Sequence, residues 1–262
     1  GTIGVVTASR HSAFAEGDVV QHGFGFREHV VSDGRGVSRL DAAGHPPTLY
    51  MHVLGPTGFT AWGGMLITGE LNDGENVFVS AAAGAVGSVA AQIARIKGCY
   101  VIGSAGSAEK CEWLENDLGI DVAINYKEGV LRKNLKAAAT QGIDVYFENV
   151  GGEHLDAALP RMNVGGRIPV CGMISAYNNF GARSTGVTTL SNMVYQRITM
   201  RGFVVTDFEE KREKFLDDMR GWVAGGQMKY RETVFEGIEQ AADALIGLFT
   251  GENIGKALVK LD

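Results

Sequence analysis

The chain has 262 residues, 45% of them apolar, which is enough to fill a sizeable core and excludes disorder as its main theme. Asp and Glu number 30 against 24 Lys and Arg, and the net charge of −6 excludes a broad electrostatic attraction to nucleic acid or to an anionic membrane. Cys99, Cys111 and Cys171 form no Cys-x-x-Cys pair, so neither a disulfide framework nor a cysteine zinc site is supported, and a reducing compartment, the cytoplasm, is the expectation.

Gly1–Val6 has no basic stretch and no long apolar run, so it does not read as a signal peptide and looks like a chain entered mid-domain. Residues 1–52 hold short β-like runs, Ile3–Thr7, Asp18–Val20 and Glu28–Val31, divided by turn formers. Asn76–Ala94 approaches the length of a membrane span, but Asn76, Ser80, Ser88 and Gln92 would lie unsatisfied in lipid. From Val77 onward, apolar strand-like runs alternate with helix-length amphipathic segments, the pattern of a doubly wound parallel sheet. The spacing predicts strands at Val77–Ser80, Tyr100–Gly103, Val122–Asn125, Asp144–Glu148, Arg167–Cys171 and Met200–Val205. Helices are predicted at Val86–Lys97, Ala108–Leu118, Leu131–Ala139, Glu153–Met162 and Leu190–Arg197. Beyond them a charged helix, Glu209–Ala224, a strand at Arg231–Phe235, a helix at Ile238–Phe249 and a last strand at Gly255–Leu261 break the alternation. The α/β unit is therefore expected as an insertion between β-rich ends that meet in space.

The first predicted strand runs through Ala82-x-Gly84-x-x-Gly87 directly into a helix. In that context Gly84 lets backbone approach a pyrophosphate, Gly87 permits close helix packing, and the helix N-terminus offers free N–H groups to an anion. A binder of NAD places a carboxylate on the ribose at the end of the second strand, where this chain has Ser104. The following helix carries Lys110, a cation suited to a 2′-phosphate, which favours NADP; a solvated surface lysine is the alternative. Tyr-x-x-x-Lys, Gly-x-Ser-x-Gly and His-Glu-x-x-His are all absent, and Ser107-x-x-Lys110 is better explained as a helix cap. The six histidines lack ligand spacing, so no metal is expected.

Ala81–Ser88, Ile124–Lys127, Val145–Gly152, Gly166–Ile168, Cys171–Asn178 and Gly251–Lys256 resemble the zinc-free medium-chain dehydrogenase/reductases, in particular the group of prostaglandin reductases, leukotriene B4 12-hydroxydehydrogenases and plant double-bond reductases. The resemblance implies a Rossmann sheet inserted in a partial GroES-like domain: residues 1–52 belong to that substrate domain, 53–218 bind NADP, and 219–262 return to the substrate domain. It also implies several dozen family residues ahead of the position matched by Gly1, which would build part of the substrate pocket. Where the family reads Leu-Gly-Met-Pro-Gly-Leu-Thr-Ala-Tyr, this chain has Leu54–Trp62 as Leu-Gly-Pro-Thr-Gly-Phe-Thr-Ala-Trp.

The implied activity is NADPH-dependent reduction of the C=C bond of an α,β-unsaturated ketone or aldehyde. Residue by residue, Gly84, Ala85, Val86 and Gly87 would hold the pyrophosphate, Lys110 and Tyr126 the 2′-phosphate end with Ser104, and Asn149 the ribose region. Cys171, Gly172, Met173, Ile174, Ser175 and Tyr177 would line the nicotinamide half, with Phe203, Val204, Val205 and Asn253 closing over it. Tyr177 is the implied proton donor or orienting group, a homodimer paired through the last sheet strand is the implied assembly, and the partner is a small enone or enal. A quinone reductase of the same superfamily and a non-catalytic NADP-binding protein are the rival readings.

Overall fold

The computed structural model describes residues 1–41, 44–177 and 186–261. At the start, β1 (Thr2–Val5), β2 (Val19–His22) and β3 (Val37–Arg39) form an antiparallel sheet in that order. The β-like run Glu28–Val31 does not pair: Val31 is fully exposed, and β3 forms a few residues later instead. Helix α1 (Pro56–Gly63), with proline in its first turn, leads into the large sheet.

That sheet contains β4 (Asn76–Val79), β5 (Tyr100–Ala105), β6 (Val122–Asn125), β7 (Ile143–Phe147), β8 (Met162–Val170) and β9 (Thr199–Gly202). All its pairings are parallel, in the order β6-β5-β4-β7-β8-β9. The crossovers are α2 (Gly87–Ile96), α3 (Ala108–Glu112), α4 (Leu131–Ala138), α5 (Gly152–Ala158) and α6 (Asn192–Tyr195). A parallel sheet must be covered on both faces, and alternate strand residues supply two cores. Val77, Val79, Val101, Val145 and Phe147 pack toward α1, α2 and α7 (Arg212–Ala224). Phe78, Ile102, Ile124, Tyr146 and Ile168 pack toward Leu131 and Leu135 of α4 and Leu155 of α5.

Several boundaries differ from the periodicity: α3 stops at Glu112, α6 spans only Asn192–Tyr195, and three others bear on the sheet and its exit. β8 starts at Met162, five positions before the predicted strand, because a bulge around Gly165 (φ 79°) lets it pair β7 in two registers. β9 stops at Gly202, leaving Phe203 and Val204 outside the strand. The predicted helix Glu209–Ala224 begins as the 3₁₀ segment Val205–Lys211, and the α-helix proper starts at Arg212. At the end of the chain, β10 (Glu232–Glu236) and β11 (Lys256–Lys260) pair in parallel around α8 (Ala241–Thr250). Val5, Val20 and Phe26 share a cleft of about 1320 Å³ with Leu245, Leu248 and Leu258, so the two ends of the chain do meet.

The amino ends of β4, β7 and β8 are tied by Asp144. It accepts hydrogen bonds from the Asn76 backbone (2.8 Å), Asn76 Nδ2 (3.0 Å) and Asn163 Nδ2 (2.7 Å). Burial alone would raise its carboxyl pKa, but these donors and the Arg167 charge outweigh burial and hold it below the usual value of 3.8. A depressed folded-state pKa stabilises the fold above the unfolded pKa and loses that contribution as pH falls through the folded one. Asp144→Asn should cost about 1.5–3 kcal/mol at neutral pH, the scale of hydrogen bonds to a charged group. In urea melts the gap from the parent protein should shrink as pH falls below 3.8; a gap constant with pH would refute the assignment.

Candidate active site

The loop leaving β4 turns sharply at Ala81, which adopts φ 48°, and closes with a bond from Gly84 N to Ala81 O (3.0 Å). A Cβ at Gly87 would run into the Ala81 carbonyl oxygen, so only glycine lets α2 start this close to the strand. No side chain caps α2, and of its first three N–H groups only that of Ser88 has an acceptor among the described residues, Gly84 O at 2.9 Å, which leaves those of Gly87 and Val89 for an anion. The loop is also held from outside. His52 Nε2 lies 3.2 Å from Ala85 O, and Gly255 N donates to Ala83 O at 2.8 Å. His52 is fully buried, and burial together with the charge of Lys256 lowers its pKa to about 4, so at neutral pH the ring is uncharged and its Nε2–H donates to Ala85.

At the next strand ends, Ser104 is buried, and its Oγ has no partner among the described residues. Tyr126 follows β6, its backbone N–H bound to Ala105 O (3.0 Å) and its ring edge-to-face with His154 at 5.0 Å. A Cβ on Gly106 would lie 3.0 Å from the Tyr126 hydroxyl and 3.3 Å from Lys127 Cε, so glycine keeps this corner open. Lys110 sits on α3 with its pKa lowered by burial and by the charge of Lys127, so two cations share the corner. Its Nζ donates to Gly251 O at 2.6 Å, a tie to the end of α8 that the sequence did not suggest, with two further N–H groups left over. The corner suits the phosphorylated ribose of NADP: it has two ammonium groups and a phenol, and Ser104 stands where a carboxylate would meet the ribose, although Glu109 beside Lys110 offsets part of the positive charge.

On the far side of β4, Asn149 follows β7 and donates through Nδ2 to Ser80 O (2.7 Å) and through its backbone to Ser80 Oγ (2.9 Å). The segment after β8 is strung along this turn. Cys171 N and Gly172 N donate to Glu148 O (2.9 and 3.1 Å), Ile174 N to Asn149 O (3.2 Å), and Ser175 N and Oγ to Val150 O (3.1 and 2.6 Å). The Cys171 thiol is pushed up to about 12 by burial and then by the charge of Glu148, so it stays protonated. Tyr177 is about half exposed, and its hydroxyl oxygen accepts from Met173 N at 3.1 Å. Phe203 packs against Phe147 and Phe208, Val204 is exposed, Val205 opens the 3₁₀ segment, and Asn253 Nδ2 bonds Gly255 O at 2.8 Å beside the glycine loop. Asn178, the last residue of the motif, lies outside the described residues. Residues 171–177 do not line the large cleft at the chain ends.

The family model described as zinc-binding dehydrogenase matches residues 85–220. Rat prostaglandin reductase 1 is 43% identical over 260 residues, covering 97% of this chain and 78% of that protein. The chain belongs to the zinc-free medium-chain dehydrogenase/reductases. A tobacco 2-alkenal reductase (NADP(+)-dependent) is 42% identical over 256 residues, covering 97% of this chain and 74% of that enzyme. The crystal structure of CurA in complex with NADPH, from Vibrio vulnificus, superposes with a TM-score of 0.93 at 38% identity, covering 99% of this chain and 78% of that one.

Within this medium-chain reductase, Ser80, His52, Lys127 and Glu148 had no role assigned from sequence. Glu148 carried a signal, a carboxylate ending the apolar run Val145-Tyr146-Phe147, but its partner Ser80 lies 68 positions away. Among the described residues no group of three His, Cys, Asp or Glu side chains gathers, and no helix is long and apolar enough to cross a membrane.

Proposed function

We propose that the chain reduces the C=C bond of α,β-unsaturated ketones and aldehydes with NADPH, the activity class in which a prostaglandin reductase and an NADP(+)-dependent 2-alkenal reductase are named among its relatives. The observation that carries the reading is the state of the Tyr177 hydroxyl. Its oxygen accepts from Met173 N, and its own proton, which finds no acceptor among the described residues, is free for a substrate oxygen. Bound NADPH supplies a hydride to the β-carbon of the enone. As that carbon is reduced, negative charge grows on the carbonyl oxygen, and a donor aimed there stabilises the enolate more than the ground state. A proton then reaches the α-carbon to give the saturated carbonyl.

In this reading Gly84, Ala85, Val86 and Gly87 take the pyrophosphate, Ser104, Lys110 and Tyr126 the phosphorylated ribose, and Asn149 the second ribose. Cys171–Tyr177, Phe203–Val205 and Asn253 surround the nicotinamide. Residues 1–52 and 219–262 form the substrate side and 53–218 the cofactor unit. Two copies pair along β9, which ends the sheet with one edge unpaired among the described residues and has exposed Val194 and Tyr195 close to it in the chain.

Three measurements test these points. Lys110→Ala should weaken NADPH binding at least about tenfold, since a charge-assisted contact contributes about 1.5–3 kcal/mol, while NADH affinity stays put; a parallel fall of both would remove Lys110 from the phosphate site. Tyr177→Phe should lower kcat by up to about 10²-fold with little change in KM or NADPH affinity. Full kcat in that variant would make Tyr177 a pocket wall, and an allylic alcohol in place of the saturated ketone would refute the reaction class. Light scattering at micromolar concentration should give a dimer mass; a monomer would contradict the β9 pairing.

A further inference from the structure

Glu148 is 0% exposed and makes no ion pair among the described residues. Burying a carboxyl group is costly unless hydrogen bonds hold it, and here Ser80 and the buried Tyr146 phenol stand around it. The pairings Val79↔Gly103 and Val79↔Phe147 bring the next residues of β4, β5 and β7 into one row, Ser104, Ser80 and Glu148, all fully buried. This polar row lies where the strands end and the cofactor loops begin.

Inside the row, Glu148 Oε1 accepts from Val150 N at 2.6 Å and from Ser80 Oγ at 2.9 Å. Ser80 Oγ accepts in turn from Asn149 N, so the hydroxyl relays the carboxylate to the next residue of the turn. Both bonds to Glu148 converge on one oxygen, Oε1, in a site closed to water. The carboxylate therefore governs the orientation of two consecutive amide groups, Asn149 and Val150. The carbonyls of residues 148–150 are the acceptors from which residues 171–175 hang. A tilt of these peptides moves the Cys171–Tyr177 segment with them.

We propose that Glu148 is a positioning residue for the reduction. Its buried carboxylate, acting directly on Val150 and through Ser80 on Asn149, sets the placement of the segment that carries Tyr177 and faces the nicotinamide. This rests on the enone-reductase reading, which assigns that segment to the nicotinamide. Closed off from solvent, Glu148 acts on the reduction through the peptides it holds and not as a group that meets the substrate.

The test compares Glu148→Met, which removes the acceptor at similar length, with Glu148→Gln, which keeps an acceptor oxygen. NADPH is titrated into each protein while the induced circular dichroism of the dihydronicotinamide band is recorded, and kcat and KM are measured with a simple enone. Glu148→Met should bind NADPH with nearly the parent affinity, lose the induced band, and lose up to about 100-fold in kcat, the effect of an ångström-scale misplacement, at unchanged enone KM. Glu148→Gln should restore most of the band and of kcat. A folded Glu148→Met with the parental band and kcat overturns the proposal, as does Glu148→Gln impaired as severely as Glu148→Met. Where Glu148→Met does not fold, Ser80→Ala decides: it breaks the relay alone and should reproduce the lost band and rate, and parental behaviour refutes the proposal. If the parent protein neither binds NADPH nor reduces the enone, the enone-reductase reading itself falls, whereas an active parent with unaffected variants removes only Glu148.

Discussion

The strand order β6-β5-β4-β7-β8-β9 reverses direction between β4 and β7, and the site depends on that reversal. After β4 the chain crosses to β5 on one side, and after β7 it crosses to β8 on the other. The loops leaving two neighbouring strands therefore part instead of packing together, and a crevice opens at their carboxyl ends. The glycine loop, with α2 behind it, forms one wall, and the Asn149–Gly152 turn leading into α5 forms the other. Both walls rest on a sheet buried on each face, so the crevice is held by some of the best-packed parts of the molecule, including Phe78, Phe147 and Tyr146.

Most of the framework was legible because each strand is a short apolar run bounded by glycine or polar turns. Val122–Asn125 appears at the bounds its spacing predicts, and α4 keeps Leu131 and Leu135, one turn apart, on the buried face. The failures share a cause. A β-like run becomes a strand only with a partner, and Glu28–Val31 has none. Partner choice is a tertiary property invisible in local alternation. The early start of β8 likewise follows from a bulge, and the 3₁₀ entry to α7 from the turn in which the Asp207 carboxylate accepts from Val204 N.

The site was legible to a different depth. The glycine loop announces itself because backbone geometry restricts residue type at Gly87, and the missing carboxylate at Ser104 could be read from its position in the strand pattern. The family motif supplied the Cys171–Tyr177 segment. What no local pattern could reveal were the supports: His52 reaching Ala85 across 33 positions, Lys110 tied to Gly251, and Ser80 joined to Glu148. These side chains bind the backbone of a loop instead of a ligand, so their chemistry is spent inside the protein and leaves no signature in spacing.

The two outside holds on the glycine loop give it a polarity. The carbonyl of Ala81 is taken by Gly84 N, that of Ala83 by Gly255 N, that of Gly84 by Ser88 N and that of Ala85 by His52. With their negative ends committed to partners within the fold, these peptides contribute little repulsion toward an approaching anion, while at the start of α2 the N–H groups of Gly87 and Val89 stay unclaimed among the described residues. The loop is thus electrostatically one-sided before any ligand arrives. Because Gly255 and His52 enforce that asymmetry from segments far apart in sequence, distant parts of the chain share in setting the sign of the surface that meets a phosphate.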